Sequence, residues 1–141
     1  IFVLMSSPRS PKDQVGGIVY FGRMLDKIRH RDGGDLHSDL HKNLGRGFDD
    51  RCVKFLQVSY EALAEAVRGG LSDDDALAWC FTNGRRPSDE EIEIWNEFMR
   101  KCGWRDPVSE TLESRKKQNG FQDRDEIQTM FEYIDADEGR F

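Results

Sequence analysis

Apolar residues return at three- and four-residue intervals along most of the chain, and the clearest run is Ser10–Asp32. There Val15, Ile18, Phe21, Leu25 and Ile28 would share one face of a helix. Ser10 stands where an N-cap belongs, Pro11 at the first helical position and Asp13 at the acidic place of a capping box, while Gly33-Gly34 ends the pattern. The spacing therefore predicts a first helix over residues 10–32. Its polar face carries Arg23, Asp26, Lys27 and His30, with Asp26 one turn before His30 so that the carboxylate can hold the imidazole.

After an irregular stretch the chain reads as a series of capped helices. Asp49 is expected to cap a short helix through Leu56, and Ser59 to start one that Gly69-Gly70 stops. Ser72 with Asp75, and Ser88 with Glu91, repeat the capping-box spacing. Asp106-Pro107 is expected to open a helix that Gly120 ends, and a last helix is expected from Arg124 to Ile134. No sustained alternation of β-branched residues bounded by turn signals is present. The expected fold is an all-α, compact single domain of about six or seven capped helices. It would occupy residues 10–141, behind a flexible N-terminal arm of residues 1–9.

Residues 35–51 are the least regular part and hold His37, His41 and the Gly45-Arg46-Gly47 turn. His37 and His41 are four apart, so on a helix both rings would share a face, as two zinc ligands do. A divalent metal is a candidate cofactor there, although Ser38 occupies the place where a zinc-protease helix carries glutamate. The plainer reading is histidines satisfied by hydrogen bonds. The Gly45-Arg46-Gly47 turn leading into a helix could cradle an anion with help from Arg46 and Arg51. Against that, Asp49 and Asp50 already place negative charge at the same helix start. Arg23 and Asp26, met by His41 and Asp49 from this loop, could form either a ligand-binding polar cluster or an ion-pair network that docks the loop. The candidate polar cluster is thus Arg23, Asp26, His30, His41, Arg46 and Asp49.

Charge narrows the partners. The formal net charge is −6, and the basic residues are scattered apart from Arg115-Lys116-Lys117, which reads as a solvated helix face. A duplex-binding protein needs a phosphate-neutralising face, so nucleic acid is disfavoured. Three widely spaced cysteines without a C-x-x-C read as buried, reduced thiols, and no apolar run reaches the length of a membrane span. A soluble, cytoplasmic protein is expected, as a monomer or homodimer, with Met5 as its native start. Its aromatic content of 11% argues against disorder.

Five phrases carry a resemblance. They are Pro8-Arg9-Ser10-Pro11, Gly22-Arg23-Met24-Leu25-Asp26-Lys27, Leu44-Gly45-Arg46-Gly47-Phe48-Asp49, Gly84-Arg85-Arg86-Pro87, and Tyr133-Ile134-Asp135-Ala136-Asp137-Glu138-Gly139-Arg140. Together they resemble a bacterial domain-of-unknown-function family, numbered fifty sixty-nine. Members of that family often have proline where this chain has Gly22. The resemblance implies a stand-alone helical domain and no particular activity.

The expected function is a binding or interaction module for a protein or small-molecule ligand, using a polar patch from helix one and the 35–51 loop. The alternatives are a hydrolase using histidine and carboxylate chemistry, with or without a metal, and a purely structural protein. The hydrolase requires a pocket that holds a histidine and a carboxylate within hydrogen-bond reach. The structural reading requires His41, Asp26 and Asp49 to be paired internally.

Overall fold

A computed structural model describes residues 7–141. Its elements are β1 (Gln14–Val15), β2 (Ile18–Val19), α1 (Phe21–Asp32), α2 (Ser38–His41), α3 (Phe48–Leu56), α4 (Tyr60–Arg68), α5 (Asp73–Asn83), α6 (Asp89–Lys101), α7 (Ser109–Gln118) and α8 (Met130–Asp137). The domain is mostly helical, with one two-residue-stranded hairpin. No helix among the described residues is long and apolar enough to cross a membrane.

Helix one is shorter than its pattern predicts. It begins at Phe21, and residues 14–19 form an antiparallel hairpin that pairs Gln14 with Val19 and Val15 with Ile18. The cause is Gly16-Gly17, whose φ values of 58° and 81° make a two-residue turn that a helix interior cannot hold. Val15 and Ile18 are buried in either arrangement, so their spacing alone does not separate the two. Ser10 consequently caps no helix. Its hydroxyl accepts from the Lys12 amide and donates to Asp135.

Asn96 of α6 fixes the hairpin by accepting from the Val19 amide and donating to the Gly17 carbonyl. Residues 1–6 of the expected arm lie outside the described residues. Pro8 is buried, and Arg9 forms ion pairs with Asp26 and Asp73.

Three other boundaries differ. Gly47, not Asp49, occupies the N-cap of α3, because the Asp49 side chain turns inward to Tyr20 and Lys27. Asp106 precedes α7 rather than capping it, and its carboxylate accepts instead from the Gly103 and Val108 amides. The last helix starts at Met130, where Thr129 and Glu132 form a full capping box. The caps of α4, α5 and α6 are Ser59, Ser72 and Ser88, as their spacing predicts, with a complete capping box at Ser88 and Glu91.

Two apolar clusters make the core. The larger joins the hairpin to α1, α3, α4, α5 and α6 through Phe21, Met24, Leu25, Leu56, Leu63 and Trp95. The smaller holds Leu112, Ile127, Met130, Tyr133 and Ala136. Phe48 packs against both, and its ring meets Tyr20 at 5.7 Å and Phe131 at 5.9 Å in edge-to-face geometry. Cys52, Cys80 and Cys102 are buried free thiols, and burial pushes that of Cys80 up to about 12.

Candidate functional site

A cavity of about 280 Å³ opens at the seam between the two clusters. Helix α1 contributes Arg23 and Lys27, with Tyr20 just before it, while the 35–51 segment contributes Leu40, Asn43, Arg46, Gly47, Phe48 and Arg51. The far wall is Val108, Thr111 and Arg115 from the start of α7 and along it, together with Met130 and Ile134 of α8. Positions 108, 111 and 115 share one face of α7, as do 130 and 134 on α8, which is how two short helices present a continuous wall.

Among the described residues, five cations and no carboxylate line this cavity. Two of the five are neutralised from behind. Arg23 donates through Nη1 and Nη2 to the Glu138 carboxylate at 2.8 and 2.6 Å, and Lys27 donates to Asp49 at 2.9 Å. Burial pushes the Lys27 amine down, against the pull of the Asp49 charge. Asp49 also accepts from the Tyr20 hydroxyl at 2.5 Å and the Gly45 amide at 3.0 Å, so it ties the glycine turn to α1. Burial, then the Asp49 charge, drive the Tyr20 hydroxyl well above its ordinary value, and it remains a proton donor.

The other three cations are Arg46, Arg51 and Arg115. Among the described residues none of them has a carboxylate within ion-pairing distance. Arg51 lies over the Phe48 and Phe98 rings at 5.8 and 5.0 Å and donates weakly to the Cys102 sulfur. The start of α3, at Gly47 and Phe48, adds the positive end of a helix dipole to the same wall.

The candidate residues from the sequence divide into separate groups. Arg23, Lys27, Arg46 and Asp49 gather at or directly behind the cavity. Asp26 is elsewhere, in a network where Arg9 donates to Asp26 and Asp73, and Arg29 donates to Asp73. It does not hold His30, whose Nδ1 is buried without a hydrogen-bond partner among the described residues. His37 uses Nδ1 to accept from the Asp39 amide at the start of α2, and His41 Nε2 lies 3.0 Å from the Leu36 carbonyl. Neither histidine lines the cavity. Among the described residues no three His, Cys, Asp or Glu side chains are grouped so as to hold a metal ion.

Arg115 is the residue that sequence reasoning misplaced. The Arg115-Lys116-Lys117 run is not a uniformly solvated face: Lys116 is buried and donates to the Ile127 carbonyl, while Arg115 faces the cavity. Its register with Val108 and Thr111 was the available signal. On the outer surface, Ile94 and Phe98 of α6 are 61% and 51% exposed beside Trp104 at 47%.

Four of the phrases that carry the resemblance are joined by ion pairs. Arg9 pairs with Asp26, Arg23 with Glu138 and Lys27 with Asp49, while Arg140 pairs with Asp135 and Glu138 and reaches the Pro8 carbonyl at 2.5 Å. No curated protein matches the chain. The model of one protein family matches residues 5–140, and the chain belongs to that family, the domain of unknown function DUF5069.

Proposed function

We propose that the protein is a binding module for a small molecule, and that the cavity between α1, the 35–51 segment, α7 and α8 is its binding site. The observation that carries this reading is a cavity with an apolar wall and three arginines that, among the described residues, have no ion-pair partner. Folding alone gives no reason to line one cavity with three cations that lack an ion-pair partner, because like charges repel. A charge arrangement that works against stability is the mark of a site kept for a ligand. At about 280 Å³ the cavity falls just short of the usual range of ligand pockets, which starts at about 300 Å³, so it suits a small ligand.

Hydrolysis by a histidine and a carboxylate is less well supported, since the cavity wall supplies neither. His41, Asp26 and Asp49 all have internal partners, as the structural reading requires, and of the three only Asp49 reaches the cavity, through Lys27 and Tyr20 behind its wall.

A thermal-shift screen of small molecules tests the proposal when run in parallel on the native protein and on Thr111→Trp. Thr111 is exposed on α7, and the larger ring would fill the cavity mouth without disturbing the core. The proposal expects compounds that stabilise the native protein but not the variant, with the two unliganded proteins melting alike. Compounds that stabilise both equally would place binding elsewhere and contradict it.

A further inference from the structure

The chemistry of the cavity wall narrows the ligand. The cations come from three separate elements: Arg46 from the glycine turn, Arg51 from α3 and Arg115 from α7. A carboxylate presents two oxygens, which one guanidinium can satisfy in a fork. Three guanidinium groups suit a group with three terminal oxygens and about two negative charges near neutral pH, which is a phosphate monoester. The α3 N-terminus at Gly47 and Phe48 favours the same charge. Asp49 and Asp50 do not offset it: Asp49 is consumed by Lys27, Tyr20 and Gly45, and Asp50 pairs with Lys54 at 2.7 Å.

Inorganic phosphate would leave the remaining wall without a partner. Phe48, Val108, Met130 and Ile134 form an apolar surface beside the arginines, large enough for a single ring or a short chain. Tyr20 lies beneath, with its hydroxyl committed to Asp49 and its ring stacked on Phe131, while Arg23 and Lys27 beside it are already engaged by Glu138 and Asp49. Arg51 is held in place by its stacking on Phe48 and Phe98 before any ligand arrives, which lowers the ordering cost of binding.

We infer that this cavity, on the reading proposed above, takes a small organic phosphate monoester. Its phosphate is held by Arg46, Arg51 and Arg115, and its apolar body lies on Phe48, Val108 and Ile134.

The test is isothermal titration calorimetry of the full chain with phenyl phosphate, benzoate, phenol and inorganic phosphate as probes. Phenyl phosphate is expected to bind about tenfold or more tightly than each of the other three, because only it engages both parts of the wall. Its affinity should fall with added salt. Arg46→Ala and Arg115→Ala should each weaken it by about tenfold, and Thr111→Trp should abolish it, all three variants remaining folded by circular dichroism.

Benzoate binding as tightly as phenyl phosphate, or phenol doing so, would overturn the phosphate assignment while leaving the cavity as the site, provided that Thr111→Trp still blocks it. Phenyl phosphate binding equally to the native protein and all three variants would overturn both the ligand class and the site. Absence of binding by phenyl phosphate would overturn the ligand class. The thermal-shift screen then decides separately whether the cavity binds anything.

Discussion

The Lys27 ammonium of α1 lies 2.9 Å from the Asp49 carboxylate of α3, and the two side chains are 4% and 0% exposed. This pair crosses from the first helix to the segment that forms the mouth of the cavity, and it sets the cavity floor. A buried ion pair is weak evidence for stability, because desolvation of both charges offsets much of their attraction. Removing one partner is a different matter, since the other is left charged and dry.

Lys27→Met is accordingly expected to destabilise the fold by about 3–5 kcal/mol, by stranding the Asp49 carboxylate. The Lys27→Met/Asp49→Asn double variant should recover a substantial part of that loss. Urea denaturation of the two single variants and the double gives the coupling directly. Additive single losses would show that the pair is not a unit.

Asp26 carries a pH signature. Burial pushes its carboxyl up, but the hydrogen bonds from Arg9 outweigh burial and hold it below the usual range. A carboxylate with a depressed folded-state pKa stabilises the protein above its unfolded value, about 3.9, and loses that contribution as pH falls through the folded value. Asp26→Asn should therefore be less stable than the native protein at neutral pH, by about 1 kcal/mol after solvent screening. The gap should narrow as pH falls below the unfolded value and close once it has passed the lower folded one. Urea midpoints for both proteins at neutral pH and in acid check this, and a gap that persists in acid would assign the loss to shape rather than charge.

Much of this organisation is legible in the sequence. Ser59, Ser72 and Ser88 mark their helices because capping is local chemistry, confined to four consecutive residues. The Ser10–Asp32 pattern misleads because Val15 and Ile18 satisfy both a helix and a hairpin, and the decision rests with two glycines. The proposed site was half visible. Arg23, Arg46 and Asp49 sit in phrases unusual enough to draw attention, whereas Arg115 lies in a basic run whose inward member depends on how α7 docks. Asp26 drew the same attention as Arg23, yet it holds Arg9 on the outside of the fold. Unusual phrases mark long-range contacts, and long-range contacts serve packing as often as chemistry.

Gly84 illustrates this. A Cβ built there would lie 2.0 Å from the Leu56 carbonyl oxygen, and the neighbouring Arg85 donates to the carbonyls of both Leu56 and Phe55. The Gly84-Arg85 phrase is therefore a close approach between the end of α5 and the end of α3. Gly84→Ala should cost about 3 kcal/mol, because backbone must move to admit the methyl group. Chemical denaturation measures it, and a cost below about 0.5 kcal/mol would contradict the close approach.

The thiols give a rapid test of the core. Cys52, Cys80 and Cys102 are all buried, and burial pushes each thiol above its ordinary value. None should react with a thiol-exchange reagent in the native protein within minutes, and all should react in denaturant. Rapid native labelling of any one would show that its cluster opens.

The unpaired arginines should behave oppositely to Lys27. Arg46→Ala and Arg115→Ala are expected to leave the melting temperature unchanged or to raise it, since each removes repulsion and, among the described residues, no ion-pair partner. A clear loss of stability in either would mean that the residue supports the fold.

The central claim is that the seam cavity is where this protein binds. The most direct measurement is mapping of backbone amide chemical shifts by NMR as phenyl phosphate is titrated into the full chain. The account predicts that the perturbed amides cluster at residues 43–51, 108–115 and 130–134. Shifts gathered instead around Ile94, Phe98 and Trp104, or spread over the surface, would contradict it.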